Sequence, residues 1–226
     1  MLAITRLFAR RTLGAACALL LYLSGGLSTA GESPRLPGSA LAEAISQSRL
    51  EAWHGLLAQA GGSERERLER VNQFINRSIQ YGEDRDTWGS ADYWATPLET
   101  LSRGRGDCED VAIAKYFSLI RLGVPSSKLR LTFVKALRLN RAHMVLAYYA
   151  EDNAEPLLLD SLQPQIRPAS QRSDLLPVYA FNNLGIYFGS ASQQRSSQSP
   201  QLLSRWQDVS ARALADGSQG VDTPRG

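Results

Sequence analysis

Cysteine and histidine are scarce here: the 226-residue chain holds two of each. Cys17 lies among the first thirty residues, so a chain that loses them keeps Cys108 alone. A single thiol cannot close an internal disulfide, and paired-cysteine metal motifs are excluded with it. The two histidines, His54 and His143, limit the general bases a thiol could use. No acidic residue occurs before Glu32. No basic stripe with interleaved aromatics is present, which argues against nucleic-acid binding. Internal repeats are absent as well.

The first thirty residues carry Arg6, Arg10 and Arg11, then the apolar run TLGAACALLLYLSGGL, then the small residues Ser28-Thr29-Ala30. That order is a secretory signal, expected to be cleaved after Ala30. The run is short for a membrane span of roughly 20 residues, and Arg10-Arg11 points weakly to twin-arginine export. Cys17 makes a poor lipoprotein site, since GAA precedes it and the apolar run continues past it. Without the signal's three arginines, 22 Lys+Arg face 22 Asp+Glu, so the basic isoelectric point near 9.0 belongs largely to the precursor.

Residues 31–40 read as a flexible leader, 41–215 as one domain, and 216–226 as a disordered tail. Leu41–Ala60 has a helical pattern stopped by Gly61-Gly62. Ser63 and Glu66 form a capping box for a helix whose apolar face is Leu68, Val71, Phe74 or Ile75, and Ile79. Turn formers and aromatics make residues 81–106 a structured loop with a short helix near Pro97–Leu101. Asp107 is the N-cap of a helix over Cys108–Leu122, closed by Gly123 and Pro125. Strands follow in LRLTFVKAL, AHMVLAYYA and EPLLLDSL, the last two joined as a hairpin by EDNAE. LPVYAFN and LGIYFG are further strands, and LLSRWQDVSARALA a last helix. Helices first and strands afterwards predict an α+β domain, with the Cys108 helix packed on a mainly antiparallel sheet.

A helix N-terminus favours a thiolate, and an adjacent base activates it. Cys108 meets the first condition. His143 opens a strand 35 residues later, and Asp160 ends the next strand 17 residues beyond that. Across an antiparallel hairpin the start of one strand lies beside the end of the next, so His143 and Asp160 become neighbours. Each also has a plainer reading: a small buried cysteine, a structural histidine, a strand-end turn former. His54 lacks partners and reads as a surface or interhelical residue. Asp107, Glu109 and Asp110 crowd Cys108 and should raise its pKa. They either cap the helix and complement its dipole or hold a cation.

The stretch from GDCEDVAIAKYF through AHMVLAYY and LLLDSL to LPVYAFN, with DYWATPLETL upstream, resembles the bacterial transglutaminase-like cysteine proteinases of the LapG type over residues 40–190. The resemblance implies a papain-like/transglutaminase-like fold with Cys108 as nucleophile, His143 as base and Asp160 as orienting acid. It implies calcium dependence, with Asp107 and Glu109 as metal carboxylates and Asp110 a further ligand. A bound cation would invert the unfavourable charge around the thiol. A periplasmic endoprotease is implied, cutting the N-terminal region of a large surface adhesin to disperse biofilm. An inner-membrane cyclic di-GMP receptor would sequester it. The Cys108 N–H is the expected first oxyanion donor, and the Tyr93-Trp94 loop the expected second. The alternatives are a transglutaminase-like acyltransferase or cell-wall amidase using the same triad, and a calcium-binding module without catalysis.

Overall fold

The computed structural model describes residues 37–188, 194–196 and 198–217. The expected signal, leader residues 31–36 and the tail beyond Gly217 lie outside the described residues. Helix α1 spans Pro37–Leu57, so residues 37–40 are helical, not leader. A proline at the first helical position has a suitable φ and lacks an N–H that would otherwise need a partner. The α1 indole of Trp53 is buried and donates from Nε1 to Ser118 Oγ at 2.9 Å. Helix α2, Glu64–Ser78, opens on the Ser63–Glu66 capping box and buries Leu68, Val71, Asn72 and Ile75.

The expected loop carries more order than its composition shows. Strands β1 (Gln80–Tyr81) and β2 (Arg105–Gly106) pair in parallel and close it into a ring. Inside the ring are a single-turn helix, α3 (Asp84–Thr87), and α4 (Pro97–Arg103), which has its own Thr96–Glu99 capping box. The pairing sets Tyr81 opposite Gly106. Residues 84 and 107, far apart in sequence, therefore start from adjacent backbone.

Helix α5, Cys108–Arg121, is buried over most of its circumference. Its Val, Ala, Ile, Tyr, Phe and Leu side chains meet α2 and α4 on one side and the sheet on the other. At its end the Gly123 N–H bonds the Ile120 carbonyl and the Val124 N–H bonds Leu119, a Schellman motif. The motif needs a left-handed residue, supplied by Gly123 at φ 82°.

The strands are β3 (Leu129–Ala136), β4 (Arg141–Tyr148), β5 (Leu157–Leu159), β6 (Arg167–Pro168), β7 (Leu175–Phe181), β8 (Ile186–Phe188) and β9 (Gln194–Arg195). They form one antiparallel sheet in the order β6-β5-β4-β3-β7-β8-β9. Alternation along β4 divides the core as its sequence predicts. Met144, Leu146 and Tyr148 join the helix-side cluster, while Val145, Ala147 and Tyr149 join a smaller cluster with Val134, Leu158 and Leu175. Helix α6, Ser204–Ala215, closes the helix-side core through Trp206, whose ring meets Tyr116, Phe117 and Phe181. Among the described residues no helix is long and apolar enough to cross a membrane.

Candidate active site

Cys108 occupies the first position of α5. Asp107 caps the helix, its Oδ1 accepting from the N–H groups of Glu109 (3.2 Å) and Asp110 (3.4 Å). The half-buried thiol donates to Glu109 Oε2 at 2.8 Å. The Met144 backbone N–H, on β4 beside His143, acts on the thiol from the sheet side. Burial pushes the thiol pKa up, and the Glu109 charge and hydrogen bond and the Asp107 charge add to the rise; Met144 opposes it.

His143 and Asp160 meet as the hairpin predicts. The β4–β5 register pairs Leu146 with Leu159, which puts Asp160 just past the strand end on the His143 side. His143 Nε2 lies 2.7 Å from Asp160 Oδ1, with both side chains buried. Oδ1 also accepts the Leu162 N–H at 3.0 Å, and Oδ2 accepts Arg172 Nη2 at 2.7 Å. Burial works to raise the Asp160 pKa, but the hydrogen bond and charge of His143, then Leu162 and Arg172, together hold it at about 2. The carboxylate is therefore ionised, and orients the ring so that Nδ1 is left for another partner.

Three carboxylates converge beside the thiol: Asp84, Asp107 and Asp110 each offer an oxygen within 4.8 Å of the others. Asp107 and Asp110 were expected as ligands; Asp84 was not. Glu109, expected with them, lies outside this group because its carboxylate is turned to the sulfur. Burial and the charges of Glu109, Asp110 and Asp84 raise the pKa of Asp107; burial, opposed by the Tyr93 N–H, raises that of Asp84; and burial, opposed by donors from Ala95 and Trp88, raises Asp110 to about 7. Asp84 Oδ1 is buried with no hydrogen-bond partner. Clustered hard oxygens, one of them unsatisfied, fit a calcium ion. Gly106 makes room for the group, since a Cβ there would sit 2.6 Å from Asp110 Oδ2.

The same acids hold the loop above them. Asp84 Oδ2 accepts the Tyr93 N–H at 2.6 Å, Asp110 Oδ1 the Ala95 N–H at 2.8 Å, and Asp110 Oδ2 the Trp88 indole at 3.0 Å. The Tyr93 N–H is thus committed to Asp84, and within the Tyr93-Trp94 loop it is not the second oxyanion donor. Trp94 also packs on Phe181, with ring centroids 5.8 Å apart. His54 is exposed, as its lack of sequence partners implied. Sequence reasoning missed Asp84, one acid in a run of several, and Arg172, one basic residue in QRSD. Neither has a spacing that marks it.

Residues 51–174 match the family model described as bacterial transglutaminase-like cysteine proteinase BTLCP. Among solved structures, calcium-bound LapG of Legionella pneumophila is 41% identical, with a TM-score of 0.66, covering 77% of this chain and 96% of that one. The EGTA-treated LapG of the same organism is 41% identical with a TM-score of 0.67, covering 76% and 94%. None of the curated proteins compared matches the chain. Family model and structural likeness agree with the antiparallel α+β architecture, and on them the chain belongs to the bacterial transglutaminase-like cysteine proteinases.

Proposed function

We propose that the protein is a calcium-dependent cysteine endoprotease using Cys108 as nucleophile, His143 as general base and Asp160 as its orienting acid. The observation that carries this reading is the buried 2.7 Å pairing of His143 with Asp160, reached from β4, whose next residue, Met144, acts on the Cys108 thiol through its backbone N–H.

For reaction the thiol turns from Glu109 to the Nδ1 side of His143 and yields its proton there. The thiolate attacks the scissile carbonyl, and the Cys108 N–H at the start of α5 faces the developing oxyanion. His143 then protonates the leaving amine as the thioester forms. A water, deprotonated by His143, hydrolyses that thioester and restores the thiol. Asp160 holds the ring through both transfers.

Asp84, Asp107 and Asp110 would hold the calcium, and Glu109, next to Asp110 in sequence, would be available to it on leaving the sulfur. The ion would supply positive charge that offsets the acids around the thiolate. One LapG relative is calcium-bound, which supports this assignment.

The expected secretory signal and the LapG likeness favour a periplasmic protease, acting on the N-terminal region of a large surface adhesin to release it and disperse biofilm. An inner-membrane cyclic di-GMP receptor would restrain it through its periplasmic face. Mass spectrometry of an adhesin N-terminal fragment tests the proposal, after incubation with and without chelator and labelled amine. A single cut that requires calcium and is lost in Cys108→Ala is expected. Cleavage by Cys108→Ala sinks the nucleophile assignment, and label incorporation without a cut favours acyl transfer.

A further inference from the structure

We infer that Arg172 is a positioning residue of this active site, locking the Asp160 carboxylate from behind and balancing its charge so that His143 is held for Cys108. The inference rests on the catalytic reading above and adds a fourth side chain to it.

Arg172 lies in the turn after β6 and is 5% exposed. Its Nη2 donates to Asp160 Oδ2 at 2.7 Å and to Asp174 Oδ2 at 2.9 Å, while Nε donates to Asp174 Oδ1 at 2.9 Å. Its backbone is tied at both ends, the N–H to Ala169 (2.9 Å) and the carbonyl to the Leu175 N–H (3.0 Å). The guanidinium is therefore a braced fork. With Oδ1 of Asp160 taken by His143 and Leu162, and Oδ2 by Arg172, the carboxylate cannot rotate without breaking a charge-assisted bond. A loose carboxylate would let the imidazole swing, and an ångström of misplacement is costly in catalysis.

Charge gives a second reason. A neutral amide can orient an imidazole without burying an ion, whereas this chain buries a full carboxylate at its desolvation cost. Glu109 and Asp107 already oppose the Cys108 thiolate with their charge. A further uncompensated negative charge nearby would oppose it more. Arg172, although shared with Asp174, offsets part of the Asp160 charge at its source.

The other groups facing Asp160 do not replace this contact. Lys115, from α5, acts on Asp160 through its charge, but its buried Nζ makes no hydrogen bond. Asn76, from α2, reaches the Asp160 backbone carbonyl at 2.9 Å and not the carboxylate. Among the described residues Arg172 is the hydrogen-bond donor to Oδ2.

The test has two arms on the full chain. In a Cys108→Ala background, proton NMR should show the deshielded His143 Nε2–H held by Asp160. Arg172→Met should lose or broaden it, and Arg172→Lys should keep it. With Cys108 present and the adhesin N-terminal fragment as substrate, Arg172→Met should lower kcat roughly 100-fold with little change in KM. Arg172→Lys should recover most of that loss. A Met variant with kcat within about threefold of wild type and an intact resonance overturns the proposal. Should the Met variant fail to fold by circular dichroism, Asp174→Asn decides. A kcat lowered several-fold at constant KM supports the proposal, and a wild-type kcat with an undisturbed resonance overturns it. If the wild-type protein leaves the adhesin fragment uncut, the protease reading fails while the resonance still decides the role of Arg172.

Discussion

Cys108 donates its thiol proton to the carboxylate of the next residue, Glu109, at 2.8 Å. A thiol in that contact is held protonated, because the acceptor is negative and the site half-buried. Neutralising the acceptor should release it. In chelator, Glu109→Gln should be alkylated by iodoacetamide several-fold faster than wild type, as read by intact-mass kinetics. An unchanged or slower rate contradicts the restraint.

Asp84 enters the acid group through the β1–β2 pairing, and its buried Oδ1 has no partner. Calcium titration by calorimetry should show tight binding to the wild type and at least a tenfold weaker Kd for Asp84→Asn, about 1.4 kcal/mol. Calcium should also raise the wild-type Tm more than that of the variant, since a ligand bound only by the folded state stabilises it. Equal affinities would place the cation elsewhere.

The Asp160 carboxyl is held at about 2, below its ordinary value near 3.8. A depressed carboxylate stabilises the fold above its unfolded pKa, and that contribution fades as pH falls from about 4 to 2. It is worth about 2 kcal/mol. Urea unfolding of wild type and Asp160→Asn should show the stability gap narrowing across that window. A gap constant down to pH 2 would mean the carboxylate is not stabilised in this way. Activity in the same variant should drop on the order of 10²–10⁴-fold, because the amide carries no charge to stabilise the imidazolium and cannot accept from Arg172 on its second atom.

Trp206 is fully buried and joins α6 to Tyr116, Phe117 and Phe181. Truncating it to Ala should cost about 3–5 kcal/mol in urea unfolding, the usual range for a buried aromatic. A loss under about 1 kcal/mol would mean α6 contributes little to the helix-side core.

Local patterns carried a large share of this protein. The Ser63–Glu66 box, the Asp107 cap ahead of Cys108 and the Gly123 stop are set within a few residues by backbone hydrogen bonds. The hairpin at EDNAE fixes which strand ends meet, so the His143–Asp160 pairing could be read from spacing. Alternation along β4 likewise assigned its two faces. Each of these depends on short-range geometry with a known period.

Tertiary structure alone decided the rest. Asp84 reaches Asp107 because a two-residue parallel pairing closes a ring, and no hydrophobic period announces so short a contact. Arg172 finds Asp160 across a turn of irregular backbone, where the partner of a charged side chain is set by burial instead of spacing. Glu109 faces the sulfur while Asp107 and Asp110 face Asp84, although the three acids are sequence neighbours. That division follows from the directions in which the first helical turn projects its side chains and from what the surrounding loop brings to each.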